Sequence, residues 1–237
     1  MEYDRFSRVW YDTFLATVPE ARTLAETAFV ERNAPAARHR RLLDIACGPG
    51  RHASRLSELG YNVVGIDLDT ASIAAATSKG IPDCTFKVWD MRQVTSLLGE
   101  FDVAISLWHS FGYYDDAANA RILSDVASKL VHDGRLIVDI YNRDFMIKLP
   151  LEIEEERADR RFTTRRIWTG ARMRCEIVYD DASSDVLDWR IFTPEEFAAL
   201  AGENGFEVSL CCAQYDETVS PSPDHPGMQF VLAKASA

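Results

Sequence analysis

The segment Asp44-Ile45-Ala46-Cys47-Gly48-Pro49-Gly50 puts a carboxylate inside an apolar strand and two glycines at its end. Glycine permits a tight turn and lets a ligand approach bare backbone. Asp67 follows Gly48 by 19 positions and closes a second apolar run, Asn62-Val63-Val64-Gly65-Ile66. A strand-helix-strand unit returns its second strand beside the first, so a carboxylate there is placed to accept both hydroxyls of a ribose. The structural alternative is that Asp67 only begins a turn ahead of a helix over 69–79. Gly48-x-Gly50-x-x-Ala53 followed by Asp67 also satisfies a dinucleotide fingerprint, so the glycines alone leave the nucleotide open. Asp44, and Asp90 at the end of a third strand, narrow it. They put negative charge where a pyrophosphate wants a neutral or positive lining. The expected chemistry is the binding of a nucleoside that carries positive charge.

The elements that must position these residues alternate regularly. Strands are predicted at 42–46, 62–67, 84–89, 101–107 and 135–139, with helices over 51–59, 69–79 and 115–130 and a turn at 132–134. That alternation predicts an α/β fold with parallel strands joined by crossover helices. Ligands then sit outside the carboxyl ends of the strands, where Gly48, Asp67, Asp90, His109 and Tyr141 would gather. Residues 1–40 read as two amphipathic helices, 3–16 and 19–33. They either form a packing layer or let Tyr3, Trp10 or Tyr11 close over the ligand. After Tyr141 the rhythm breaks. Strand-like runs at 163–169, 172–179 and 185–192 predict an antiparallel insertion over 144–191 acting as a lid, its many arginines forming a solvated face. Thr193-Pro194-Glu195-Glu196 starts a helix, and strands over 207–215 and 228–234 flank a proline-rich loop, 219–226.

With 237 residues and 47% hydrophobic content, the chain fits one globular domain. Its net charge of −11 disfavours nucleic acid. No stretch is apolar enough for a membrane span and the N-terminus lacks signal-peptide features, so a cytoplasmic protein is expected. Five cysteines without a CxxC pair indicate free thiols, with no zinc or other metal. A small-molecule partner is favoured, and a homodimer is compatible.

The chain resembles the class I S-adenosylmethionine-dependent methyltransferases of small-molecule type. The resemblance is carried by Asp44 to Gly50, by Gly65-Ile66-Asp67, by Asp90-Met91, by Phe101-Asp102-Val103 and by Phe192 to Phe197 with Gly205-Phe206. It implies a Rossmann-like, doubly wound, seven-stranded and mostly parallel sheet whose last strand is antiparallel, with the insertion after strand five. It implies S-adenosyl-L-methionine as cofactor. Gly48 and Gly50 would meet its methionyl part, Asp67 its ribose and Asp90 its adenine amino group. Ala46 and Leu107 would give backbone contacts, Asp44 would fix the loop, and Tyr11, Leu68 and Met91 would complete the cofactor site. Hydroxyl or amine acceptors, including amino sugars and other secondary metabolites, come with the resemblance. His109, just past strand four, is the candidate base, with Tyr141 beside it and Trp108 and Tyr113 lining the acceptor pocket. His225 is expected in solvent. The competing readings are a non-catalytic S-adenosylmethionine-binding protein and an NAD-dependent oxidoreductase, for which Asp44 and Asp90 have no evident work.

Overall fold

Continuous Leu, Ile and Val runs form strands that must be covered on both faces. In the computed structural model, which describes residues 6–236, these runs build one sheet. The chain opens with α1 (Arg8–Trp10), a π-helical turn (Tyr11–Leu15) and α2 (Glu20–Asn33). The expected helix over 3–16 is thus shorter, beginning after the N-cap Ser7; Tyr3 lies outside the described residues. Pro19 is the N-cap of α2, one position earlier than the first-turn place expected for it.

Then come β1 (Arg41–Ile45), α3 (Arg51–Glu58), β2 (Asn62–Asp67), α4 (Thr70–Ser78), β3 (Cys84–Val88), a 3-10 helix (Met91–Ser96), β4 (Phe101–Ser106), α5 (Asp116–Lys129) and β5 (Leu130–Tyr141). Register on β4 passes from Phe101–Leu130 to Val103–Arg135, so the turn expected at 132–134 is an irregularity within β5. A short α6 (Arg143–Met146) leads to β6 (Glu152–Arg157), β7 (Arg160–Thr169), β8 (Arg172–Tyr179) and β9 (Ser184–Arg190), and the chain closes with α7 (Pro194–Glu203), β10 (Phe206–Cys212) and β11 (Gly227–Lys234).

The main sheet runs β10-β11-β5-β4-β1-β2-β3. Its first five strands in sequence are parallel; β11 is antiparallel to both β5 and β10, between which it lies. Leu42 and Leu43 enter opposite hydrophobic layers, as the period-2 strand requires. Thr193 and Glu196 form the expected capping box on α7 with Pro194 at its start. Strands β6 to β9 form a second, antiparallel sheet. β6 was not anticipated, because Glu-Ile-Glu-Glu-Glu-Arg lacks strand composition; pairing with β7 imposes it, with Glu152 bridging to Arg165 at 2.7 Å. No helix among the described residues is long and apolar enough to cross a membrane.

Gly65 in β2 has a negative φ but no room: a Cβ would stand 2.7 Å from the Phe86 ring and 2.8 Å from Cys47 Sγ. Gly65→Ala is expected to destabilise the fold by about 1–3 kcal/mol, the cost of overpacking a close-packed core, measured by urea unfolding.

Candidate functional site

The strand order reverses between β1 and β4, and in such sheets a crevice opens beyond the carboxyl ends at that point. A cavity of about 1700 Å³ lies there, between the main sheet and the second sheet. On its main-sheet side, residues that leave β1, β2 and β4 line it: Ala46 and Gly48, Asp67 and Leu68, Leu107, Trp108 and His109. Met91, Tyr11, Tyr113 and Tyr141 line it too.

At the glycine turn, Gly48 has φ +53° and nothing within 4 Å of where a Cβ would stand, leaving an open backbone surface. Asp67 Oδ2 accepts the Gly48 N–H at 2.9 Å and Oδ1 accepts the Asp69 N–H at 2.8 Å. Burial raises the Asp67 carboxyl, against these N–H groups that lower it. Gly50, also left-handed, does not line the cavity: its α-carbon packs toward Phe86 and Ala76, so it shapes the turn from behind. Asp44 likewise stands behind the wall, 1% exposed, with Oδ2 unpartnered among the described residues. Its carboxyl is pushed up to about 8 by burial and then by the charge of Asp67, with Arg51 opposing. Asp90 does not line the cavity either. It accepts from the Arg92 N–H and pairs with the Arg92 guanidinium at 2.5 Å, so the local cation has taken the carboxylate, while its neighbours Trp89 and Met91 face the cavity.

Among the described residues, five non-glycine residues that line the cavity are left-handed: Ala46 (φ 59°), Trp108 (φ 59°), His109 (φ 61°), Gln214 (φ 60°) and Tyr215 (φ 57°). Such strain persists where surrounding structure enforces it. The His109 ring stacks on Tyr141 at 3.9 Å, and burial lowers its pKa, with Asp139 opposing. Trp189 of β9 meets Tyr141 and Tyr113 edge-on or tilted at 5.7 and 5.5 Å, and Trp10 meets Trp108 at 5.5 Å. An aromatic box with one imidazole results.

Sequence reasoning missed a second group. Glu26 of α2 is fully buried and is reached by Arg51 Nη1 (2.6 Å), His52 Nε2 (2.8 Å) and Arg22 Nε (2.9 Å). Burial would raise the Glu26 carboxyl, but the His52 hydrogen bond and the charge of Arg51 hold it at about 2. Arg22, Arg51 and His52 line the cavity next to the glycine turn. The signal available was three polar residues at inward positions of predicted helices. His225 lines the cavity as well, where solvent was expected. Its loop folds back, with His225 Nδ1 accepting the Ser222 N–H.

The second sheet is tied down on two sides. Arg172, expected on a solvated face, instead donates to Tyr114 O (2.6 Å) and Tyr113 O (3.2 Å) and bridges to Asp188. From the N-terminus, Ser7 N and Oγ donate to Asp185 at 2.8 and 2.6 Å, while the Tyr11 hydroxyl donates to Asp69 (3.3 Å) and accepts from Ser72 (2.9 Å).

Residues 42–134 match the model of a family described as a methyltransferase domain. The Bacillus subtilis (strain 168) protein YqeM, whose name carries a provisional methyltransferase assignment, is 26% identical over 99% of this chain and 98% of its own length. An S-adenosylmethionine-dependent methyltransferase of Clostridium acetobutylicum ATCC 824 superposes with a TM-score of 0.81 at 14% identity, covering 96% of this chain and 97% of that one. CalS10, an amino pentose methyltransferase from Micromonospora echinaspora involved in calicheamicin biosynthesis, superposes with a TM-score of 0.72 at 18% identity over 99% and 100%.

The raised Asp44 carboxyl makes stability depend on pH. Below the unfolded value of about 4 both states hold the proton; between about 4 and about 8 the unfolded chain ionises first, so stability is lost as pH rises through that window. Asp44→Asn is expected to gain stability relative to the unsubstituted chain by at least about 1.4 kcal/mol on going from about pH 5 to about pH 8, read by urea unfolding at both. A constant difference would place the charge elsewhere.

Proposed function

We propose that the chain, which carries a methyltransferase-domain match over residues 42–134, is a class I S-adenosylmethionine-dependent methyltransferase and that it methylates an amine on a small acceptor of amino-sugar type, held between the two sheets. One observation carries this reading. A single cavity joins the open glycine turn and Asp67 to an aromatic box containing a buried imidazole. Its size, about 1700 Å³, exceeds the ~300–1,000 Å³ usual for one small ligand, which suits a cofactor and an acceptor side by side.

The residues present fit the cofactor. Gly48 offers backbone that no Cβ covers, and the Asp67 carboxylate, fixed by the Gly48 and Asp69 N–H groups, would accept the ribose hydroxyls on its remaining lone pairs. The unpartnered Asp44 carboxyl behind the turn, raised to about 8, ionises more readily once a cation stands in front of it. Arg22 and Arg51 stand beside the turn for the methionyl carboxylate. Trp89 and Met91 line the cavity where they would flank the adenine, and Asp90 pairs with Arg92 in the turn between them. When bound, S-adenosylmethionine supplies a methyl group on a sulfonium that is already a good leaving group.

The work left to the chain is alignment and proton removal. Tyr113, Tyr141, Trp10 and Trp189 present ring faces and edges to the sugar body, and ring faces attract the positive charge of its amine. His109, kept neutral by burial, takes the proton the amine must lose before its lone pair is free. The likeness to an amino pentose methyltransferase supports the acceptor class.

The test is a panel of amino sugars, matched against their hydroxyl counterparts, incubated with S-adenosylmethionine and read by mass spectrometry. Methylation confined to the amines is expected; methylation confined to the hydroxyl counterparts would sink the reading. Asp67→Ala is expected to weaken S-adenosylmethionine binding by about 1.5–3 kcal/mol in calorimetry, the scale of charge-assisted hydrogen bonds. Unchanged affinity would remove the ribose role.

A further inference from the structure

Asp139 is the last inward carboxylate of β5, 1% exposed, and its Oδ2 and its backbone carbonyl both point to the His109 turn. Its Oδ2 accepts the Trp108 N–H at 3.1 Å, and its backbone carbonyl accepts the His109 N–H at 3.1 Å. The same Oδ2 stands 3.6 Å from His109 Nδ1, just beyond hydrogen-bond distance. Nδ1 is buried without a hydrogen-bond partner among the described residues, and Gly227 closes against Cε1, where a Cβ would stand 2.9 Å away. With Nδ1 set against Asp139, Nε2 is the ring nitrogen left for the cavity that His109 lines.

The carboxylate is itself oriented. Gln229 Nε2 donates to Asp139 Oδ1 at 2.8 Å, and Gln229 Oε1 accepts the Tyr215 N–H at 2.9 Å. That second bond settles which end of the amide faces Asp139, since only the amide nitrogen is left to donate. The direction of donation therefore runs from β11 through Gln229 to Asp139. A bare Nδ1 facing this carboxylate would set two lone pairs against each other in a buried place. An Nδ1–H facing it satisfies both.

We propose that Asp139, oriented by Gln229, is a positioning residue that holds His109 as the Nδ1–H tautomer, so that Nε2 meets the acceptor as a bare base. This rests on the reading of His109 as the proton acceptor. In the step, the N–H bond of the acceptor ammonium breaks and its electron pair becomes the attacking lone pair. The proton bonds to Nε2, and the resulting imidazolium is held beside the Asp139 carboxylate until the proton passes to water. The other groups facing His109 are Tyr141 stacked on its ring and, from α2, Arg22 and Glu26, whose charges oppose one another. Asp139 is thus the carboxylate at the Nδ1 edge of the ring, and it distinguishes the two ring nitrogens.

The experiment uses the full chain labelled with nitrogen-15 histidine and saturated with S-adenosylhomocysteine. Long-range proton–nitrogen correlation spectra read the protonation of each ring nitrogen, and His109→Gln identifies the signal by its loss from the five histidines. The expected result is a neutral His109 with Nδ1 protonated and Nε2 bare. In Asp139→Asn the Nδ1–H form loses its dominance, and the proton affinity of His109 falls about tenfold or more. An Nε2–H tautomer in the unsubstituted chain would overturn the proposal, whether or not the variant folds. So would an unchanged tautomer and midpoint in an Asp139→Asn chain that still binds S-adenosylhomocysteine. No methylation of the amino-sugar panel would count against the proposed acceptor alone, because the tautomer is read without turnover.

Discussion

Trp108 and His109 both hold left-handed backbone, which costs an L-residue of order 1–3 kcal/mol at each position unless its surroundings compensate. Asp139 compensates with one side-chain and one main-chain hydrogen bond, and it does so from the neighbouring strand. The turn is therefore tied to the sheet beneath it. Its two side chains are aimed where an ordinary strand exit would not aim them, Trp108 against Trp10 and His109 against Tyr141. The rest of the aromatic box takes its place from this turn: Trp189 packs on Tyr141, and Tyr113 packs on Trp189. A loosened Asp139 would release both the imidazole and the wall behind it.

Electrostatics at the opposite end of the cavity follow a different logic. Asp44 and Asp67 sit on adjacent strands, both buried enough that their carboxyls are raised, and the charge of Asp67 raises Asp44 further. Such a pair is destabilising unless cationic or hydrogen-bond-donating groups answer it. The protein answers only in part, with N–H groups on Asp67 and with Arg51 at a distance from Asp44. Negative potential from Asp67 is left over at the glycine turn. Beside it, Glu26 has gathered three basic side chains, so charge of both signs lies within one crevice. A zwitterionic methionyl group joined to a sulfonium has the complementary pattern.

The second sheet belongs to the cavity as much as the first. Leu187 and Trp189 from β9 and Met173 and Cys175 from β8 face into it. The sheet is not a free flap: Arg172 ties it to the loop after β4, and Ser7 ties it to the N-terminal segment. That segment also touches Asp69 and Ser72 at the start of α4 through Tyr11. One short stretch of chain thus links the roof, the cofactor side and the mouth of the cavity.

What the sequence determined by itself is the part governed by local periodicity and fixed offsets. The apolar run of β1, the Gly48 turn, α3 and the return to Asp67 are specified within a few tens of residues, so the carboxylate lands at the crevice whatever the rest does. The capping box at Thr193 and the parallel alternation of strands are local in the same sense. The tertiary structure decided where side chains with several available partners went. Asp90 reads as a strand-end carboxylate open to a ligand in sequence, yet in the fold it is paired with Arg92. Glu26 and Asp139 read as ordinary polar positions in a helix and a strand. Only the packing of α2 on α3, and of β11 on β5, brings Arg51, His52 and Gln229 to them. Charge and hydrogen-bonding capacity are written in residue types, but which partner wins depends on distances that exist only after the chain has closed.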